Sequence, residues 1–284
     1  MKAGDYEVRL EHGGRDRKVL VHVPASAVGR GPVPLVLAFH GGLGTPDSIR
    51  RQSRLDTLAD REGFVIGYPQ GIGRFRDRML TWNAGGCCGY AMRMGIDDVG
   101  FTLTILDEIG KGFDVDRSRT YALGFSNGGM LSYRLACEVP ERFAAIAAVS
   151  ATLTVDGPVP ALPTPVMHVH GLADHNVQFE GGVGENTFSR TDYLPVREAV
   201  RFWIRANHCA PEPAQREDLG DCRIERYEPA AGAAGAPVVL ITIPEGGHTW
   251  PGGVDISEHL NTGKLVQSVD ASARIWAFLS QFKR

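Results

Sequence analysis

No apolar run in this chain approaches the roughly 18 residues needed to span a bilayer, so a membrane partner is not expected. Charge of one sign is also scarce. Thirty Lys and Arg against 33 Asp and Glu leave a net charge of −3, without a basic stripe, so a nucleic-acid partner is not expected either. Cysteine is sparse: of five residues, at least one must stay unpaired. Repeats and low-complexity segments are lacking. The opening Met1-Lys-Ala-Gly-Asp-Tyr6 has no apolar core of an export signal, so the expected setting is the cytoplasm, or the mature part of an exported protein.

What is present is ordinary soluble composition, 43% hydrophobic and 22% charged over 284 residues, enough for a large core in one α/β domain. Tyr6–Leu10 and Lys18–Val23 alternate apolar and polar residues around Gly13-Gly14, which predicts an antiparallel N-terminal hairpin at a sheet edge. Leu35–Phe39, Phe64–Tyr68, Ala144–Val149, Pro165–His170 and Val238–Ile243 are continuous apolar strands of the kind covered on both faces. Helical patterns separate them: one from Asp47 or Ser48 to about Arg61, one capped by Asp97 or Asp98, one over Val196–Ile204, and one over Ala273–Phe282. Strands alternating with helices imply a mainly parallel, doubly wound sheet. Cys209 to Pro237 reads as irregular, and Pro69 to Gly95 as a long glycine-rich loop.

The chain is organised around Thr120–Val139. A short strand pattern, Tyr121-Ala-Leu123, ends in Gly124-Phe-Ser126-Asn-Gly128, and a helical pattern with Met130, Leu131, Leu135 and Ala136 follows. G-x-S-x-G alone is a weak signal; the strand-to-helix context is what makes Ser126 a candidate nucleophile on a strained turn. Two further residues lie just past predicted strand ends, where open α/β sheets assemble their sites: Asp174 and His248. A serine hydroxyl is almost never ionised at neutral pH. It needs an imidazole to take its proton and a carboxylate to fix that ring's tautomer. The order Ser126, Asp174, His248 is that of an α/β-hydrolase. An oxyanion would require N–H donors: Asn127, just after the serine, and Gly42 or Leu43 from the loop after the Leu35–Phe39 strand.

His168-Val-His170 with Asp174 and His175 suggests a metal cluster, but the spacing is too long and His168 belongs to an apolar run that should face the core. Asp192 and Asp255 are backup acids, and His175 and His259 weak substitutes for His248. His40 reads as a loop brace. Trp82 and Trp250 sit on loops at the catalytic end and could line a substrate pocket. Cys209 and Cys222 could staple the irregular segment between them, and Cys137 could pair with Cys87 or Cys88.

His40-Gly-Gly-Leu-Gly-Thr45, Trp82-Asn-Ala-Gly-Gly-Cys-Cys-Gly89, Asp97-Asp-Val-Gly-Phe101, Gly124-Phe-Ser-Asn-Gly-Gly-Met130, His170-Gly-Leu-Ala-Asp174 and Gly246-Gly-His-Thr-Trp-Pro-Gly-Gly253 span nearly the whole chain. Together they resemble the polyhydroxybutyrate depolymerase and feruloyl esterase group of α/β-hydrolases. The resemblance implies a carboxylic-ester hydrolase with Ser126, Asp174 and His248 as its triad and with no cofactor or metal. Its implied partner is a small or oligomeric ester: feruloyl-type and other short esters first, hydroxyalkanoate oligomers second. Without a polymer-binding module, accessible esters are expected rather than crystalline polyester.

Overall fold

The computed structural model describes residues 1–284 except 76, 156–159, 186, 188 and 257–261. Its strands are β1 (Gly4–His12), β2 (Arg15–Val23), β3 (Val33–Phe39), β4 (Val65–Pro69), β5 (Val115–Phe125), β6 (Ala145–Val149), β7 (Val166–Gly171), β8 (Gly182–Val183), β9 (Asp192–Tyr193), β10 (Gln215–Asp218), β11 (Arg223–Tyr227) and β12 (Val238–Ile243). The helices are α1 (Pro46–Ser53), α2 (Leu55–Glu62), α3 (Gly89–Arg93), α4 (Asp98–Gly112), α5 (Asn127–Glu138), α6 (Val196–Ala206) and α7 (Ala271–Leu279). The described residues form one sheet in the order β1-β2-β4-β3-β5-β6-β7-β12-β11-β10, with β8 and β9 apart as a short ribbon. From β4 through β12 the neighbours are parallel, and antiparallel strands close both edges.

The central strands are apolar throughout because both faces are covered. In β3, Leu35, Leu37 and Phe39 join a core with α4, α5 and α6, while Val36 and Ala38 face a second core with α1, α2 and α7. That two-residue alternation on a strand between two helical layers is the doubly wound arrangement expected from the sequence. The N-terminal hairpin also forms, pairing Gly4 with Val23 through His12 with Arg15. No helix among the described residues is long and apolar enough to cross a membrane.

Two expectations about elements change. The single helix expected from Asp47 or Ser48 to Arg61 is two helices, because Arg54 adopts a left-handed φ of 55° between them, and the cap is Thr45, in a reciprocal capping box with Ser48. The segment Cys209–Pro237, read as irregular, contributes β10 and β11 to the sheet edge. Gln215-Arg-Glu-Asp218 is exposed throughout, so it has no apolar alternation to betray it.

Of the two cap candidates, Asp97 and Asp98, only the first caps the helix. Asp97 caps α4 by accepting from Gly100 N–H at 2.8 Å. Asp98 is buried, accepting from Arg17 at 2.8 Å through one oxygen and from Asn83 N–H at 2.8 Å through the other. Arg17 in turn lies 3.6 Å over the Phe101 ring and donates to Gln70 O at 3.1 Å. Burial pushes the Asp98 carboxyl up and the Arg17 guanidinium down, so each ion is tolerated only through its partner. Asp98→Ala, which strands the Arg17 charge, is therefore expected to cost about 3–5 kcal/mol in urea denaturation. A change within 0.5 kcal/mol of zero, roughly that of a surface substitution, would contradict this anchoring role.

Candidate active site

Ser126 sits between the end of β5 and the start of α5 with φ 51° and ψ −123°, a conformation that costs a non-glycine residue strain. The turn can be this sharp because β5 and α5 nearly touch. A Cβ at Gly124 would lie 2.2 Å from the Gly128 carbonyl carbon, and one at Gly128 would lie 2.2 Å from Phe39 O. Ser126 N–H is held by Val149 O of β6 at 2.8 Å.

The side chain of Ser126 meets His248, whose Nε2 is 3.0 Å from Ser126 Oγ. His248 Nδ1 lies 2.8 Å from Asp174 Oδ2. A carboxylate only accepts, so Nδ1 carries the proton and the Nε2 lone pair faces the hydroxyl. The other Asp174 oxygen accepts from Asn176 N–H at 2.9 Å and Val177 N–H at 2.8 Å. Burial raises the Asp174 carboxyl, but the charge and hydrogen bond of His248, with His170 and the Val177 amide, outweigh it and hold the group below the ordinary value. Asp174 is thus kept as a carboxylate.

These groups open on a cavity of about 910 Å³ lined by Gly42, Leu43, Ser126, Asn127, His248 and Trp250, among others. A second cavity of about 780 Å³ lies on the far side of Asp174 and does not include Ser126. Asn127 opens α5, so its N–H has no acceptor within the helix. A Cβ on Gly42 would be 3.7 Å from that of Asn127, which puts the two backbones side by side. Leu43 N–H is already committed, donating to Leu80 O at 2.7 Å.

A family model described as phospholipase/carboxylesterase matches residues 99–191. A putative esterase, NocK, from Nocardia uniformis subsp. tsuyamanensis is 32% identical over 262 residues, covering 84% of this chain and 72% of that protein. The chain belongs to the α/β-hydrolase group of carboxylic-ester hydrolases. Feruloyl esterase B from Piromyces equi is 31% identical over 238 residues, 82% of this chain but 42% of that one, so the chain spans less than half of that relative. The fold is shared with acetyl xylan esterase from Aspergillus awamori, at a TM-score of 0.66, 15% identity and coverage of 98% and 99%.

In this chain several expected roles are corrected. Trp82 is fully buried and outside the cavity lining. Its indole N–H donates to His40 O at 2.9 Å, and its backbone exchanges two hydrogen bonds with the Asn127 side chain at 2.7 and 3.1 Å. Trp82 therefore braces the serine turn. Trp250 does line the cavity, yet its indole is buried and donates to Ser272 Oγ at 3.0 Å. Among the cysteines, the pair formed is Cys87–Cys88, while Cys137, Cys209 and Cys222 are free. Cys209 bridges to Pro229 past one end of β11, and Cys222 precedes the other end, on the order of 20 Å away. Cys137 lies two helical turns beyond Met130, the α5 residue that Cys88 touches at 4.0 Å.

The His-x-His pair is inward-facing and mutually satisfied. Tyr133 OH is 2.5 Å from His168 Nδ1, His168 Nε2 is 3.0 Å from His170 Nδ1, and His170 Nε2 is 2.8 Å from Val177 O. The carbonyl must accept, which fixes the chain of donors from Tyr133 through both rings and leaves no nitrogen lone pair for a metal. His175 is half exposed and faces Glu185 at 3.6 Å. Asp192 is exposed on β9, Asp255 lines the cavity wall, and His259 lies outside the described residues. His40 is the loop brace foreseen: its Nδ1 is 2.7 Å from Gly41 O and its Nε2 accepts from Gly71 N–H at 3.0 Å.

Burial lowers His40 from the ordinary 6.5 to about 4, and lowers His168 and His170 as well. The unfolded chain therefore binds more protons than the folded one as pH drops below 6.5. Stability is full above that value and falls by about 1.4 kcal/mol per pH unit for each such ring, until the folded values are reached. Asp98 alone among the buried carboxyls here is pushed up and opposes the trend. The urea midpoint should be clearly lower at pH 5 than at pH 7; equal midpoints would mean these imidazoles are not buried neutral.

Proposed function

We propose that the protein hydrolyses carboxylic esters through a covalent acyl-serine, with feruloyl-type and other short aromatic or aliphatic esters as substrates. One observation carries the reading: the continuous relay from Ser126 Oγ to His248 at 3.0 Å and on to Asp174 at 2.8 Å, at the mouth of the cavity. His248 takes the hydroxyl proton as Ser126 attacks the ester carbonyl. Asp174 holds the ring and stabilises the imidazolium so formed.

The tetrahedral oxyanion then needs two amides. Asn127 N–H is one, and with Leu43 N–H occupied by Leu80 the second falls to Gly42. Each donor is worth about 10²–10³ in turnover. His248 next returns its proton to the departing alcohol. Water, deprotonated by the same ring, releases the acid and restores Ser126. The name of the Piromyces relative supports a feruloyl-type acyl group. Hydroxyalkanoate oligomers would use the same steps.

Ser126→Ala is expected to lower ester turnover by up to about 10⁶ with the fold intact by circular dichroism. Methyl ferulate and hydroxybutyrate oligomers should be compared side by side. Faster turnover of methyl ferulate is the expected result, and undiminished hydrolysis in Ser126→Ala would refute the acyl-serine route.

A further inference from the structure

One wall of the cavity has a composition that a neutral ester does not require. It is built from Arg74, Phe75 and Met79, on a narrow hairpin after β4, and from Tyr90 and Arg93 of α3. The hairpin is closed by the exchange between Ile72 and Thr81, at 3.0 and 2.9 Å, and by Arg78 N–H donating to Phe75 O at 3.0 Å. It is narrow enough that a Cβ at Gly73 would lie 2.3 Å from Arg78 O. Its base is fixed against the rest of the site. Leu80 O accepts from Leu43 N–H at 2.7 Å, Gly71 N–H donates to His40 at 3.0 Å, and Ala91 N–H of α3 donates to Thr81 Oγ1 at 3.0 Å. The wall is thus registered to the same loop that flanks Ser126.

Two features of this wall stand out physically. Phe75 and Met79 are 58% and 51% exposed, large apolar surfaces left open beside a reacting centre. Arg74 and Arg93 form no ion pair among the described residues, and the Arg74 guanidinium lies 5.8 Å from the centroid of the Phe75 ring on the same wall. The acids lining the cavity belong to other loops: Glu185 lies near His175, and Asp255 follows the His248 loop. On the hairpin itself, Asp77 is taken by Gln70 at 2.7 Å. A lining that combines this apolar surface with two arginines complements a group that is itself apolar with an anionic end.

We propose that this wall is a subsite for substrates bearing a carboxylate, so that the preferred esters are anionic. This deepens the ester-hydrolase reading and rests on it. The carboxylate can sit on the acyl half or on the alcohol half, and two matched pairs separate these sources. For the acyl half, p-nitrophenyl hemiglutarate is compared with p-nitrophenyl valerate. For the alcohol half, acetate release from 4-acetoxybutyrate is compared with that from butyl acetate.

In at least one pair, kcat/KM should favour the anionic member by about tenfold. Arg74→Gln and Arg93→Gln should each reduce that ratio several-fold, and salt at about 0.5 M should erode it. Arg78→Gln, exposed on the same hairpin but outside the cavity lining, should leave the ratio in place and so separates a local subsite from net charge. A preference for the neutral member in both pairs, or ratios unmoved by both arginine substitutions, overturns the proposal. Calorimetric binding of 4-phenylbutyrate to wild type and to the Arg74→Gln/Arg93→Gln double variant reads the subsite without turnover. Weaker binding to the double variant supports the subsite and equal binding refutes it, even if every ester above were left uncleaved and the hydrolase reading itself had failed.

Discussion

The structure depends on one close approach, that of β5 to α5 at Ser126. Gly124 and Gly128 let the two backbones come within a distance that no side chain permits, and Phe39 O of β3 fills the same space. Only with that contact can Ser126 hold φ 51° and ψ −123°, with its hydroxyl 3.0 Å from His248 Nε2 in the cavity lining. Such strain, of order 1–3 kcal/mol, persists only where the surroundings over-determine it. Here they do: Val149 fixes the serine N–H from one side, and β3, packed on both faces, fixes the other.

Around this turn the long loop after β4 acts as scaffolding. Asn127 clamps the Trp82 backbone, Trp82 clamps His40 O, and His40 clamps Gly41 and Gly71. Asp98 holds Asn83 and is itself held by Arg17 from β2. The edge hairpin is in this way connected to the loop beside the serine through a few buried polar contacts. Their effect is to restrict where the neighbouring amides can point, which is what electrostatic preorganisation requires.

Much of this was legible in the chain because it obeys local rules. Apolar strands covered on both faces, the alternating N-terminal hairpin and the glycine-flanked serine turn each have a short-range signature. So do the placements of Ser126, Asp174 and His248 just past strand ends. What escaped depends on tertiary partners. β10 is polar on both sides and exists because β11 pairs with it. Arg54 breaks a helix through a left-handed backbone that its residue type does not announce. Trp82 looked like pocket lining because it lies on a loop, but its partners His40 and Asn127 are 42 and 45 residues away. Disulfide partners could not be read from spacing for the same reason, since the length of β11 separates Cys209 from Cys222. The hairpin carrying Arg74 and Phe75 had no motif at all.

In the proposed mechanism Ser126 is the group that becomes acylated, and His248 makes it able to do so. The most direct measurement is peptide mass spectrometry after treatment with a serine-directed phosphonate, followed in parallel with loss of esterase activity. One adduct per chain is expected, on Ser126, accumulating in step with inactivation and slowed by orders of magnitude in His248→Ala. An adduct on another residue, or full activity after Ser126 is completely labelled, would contradict it.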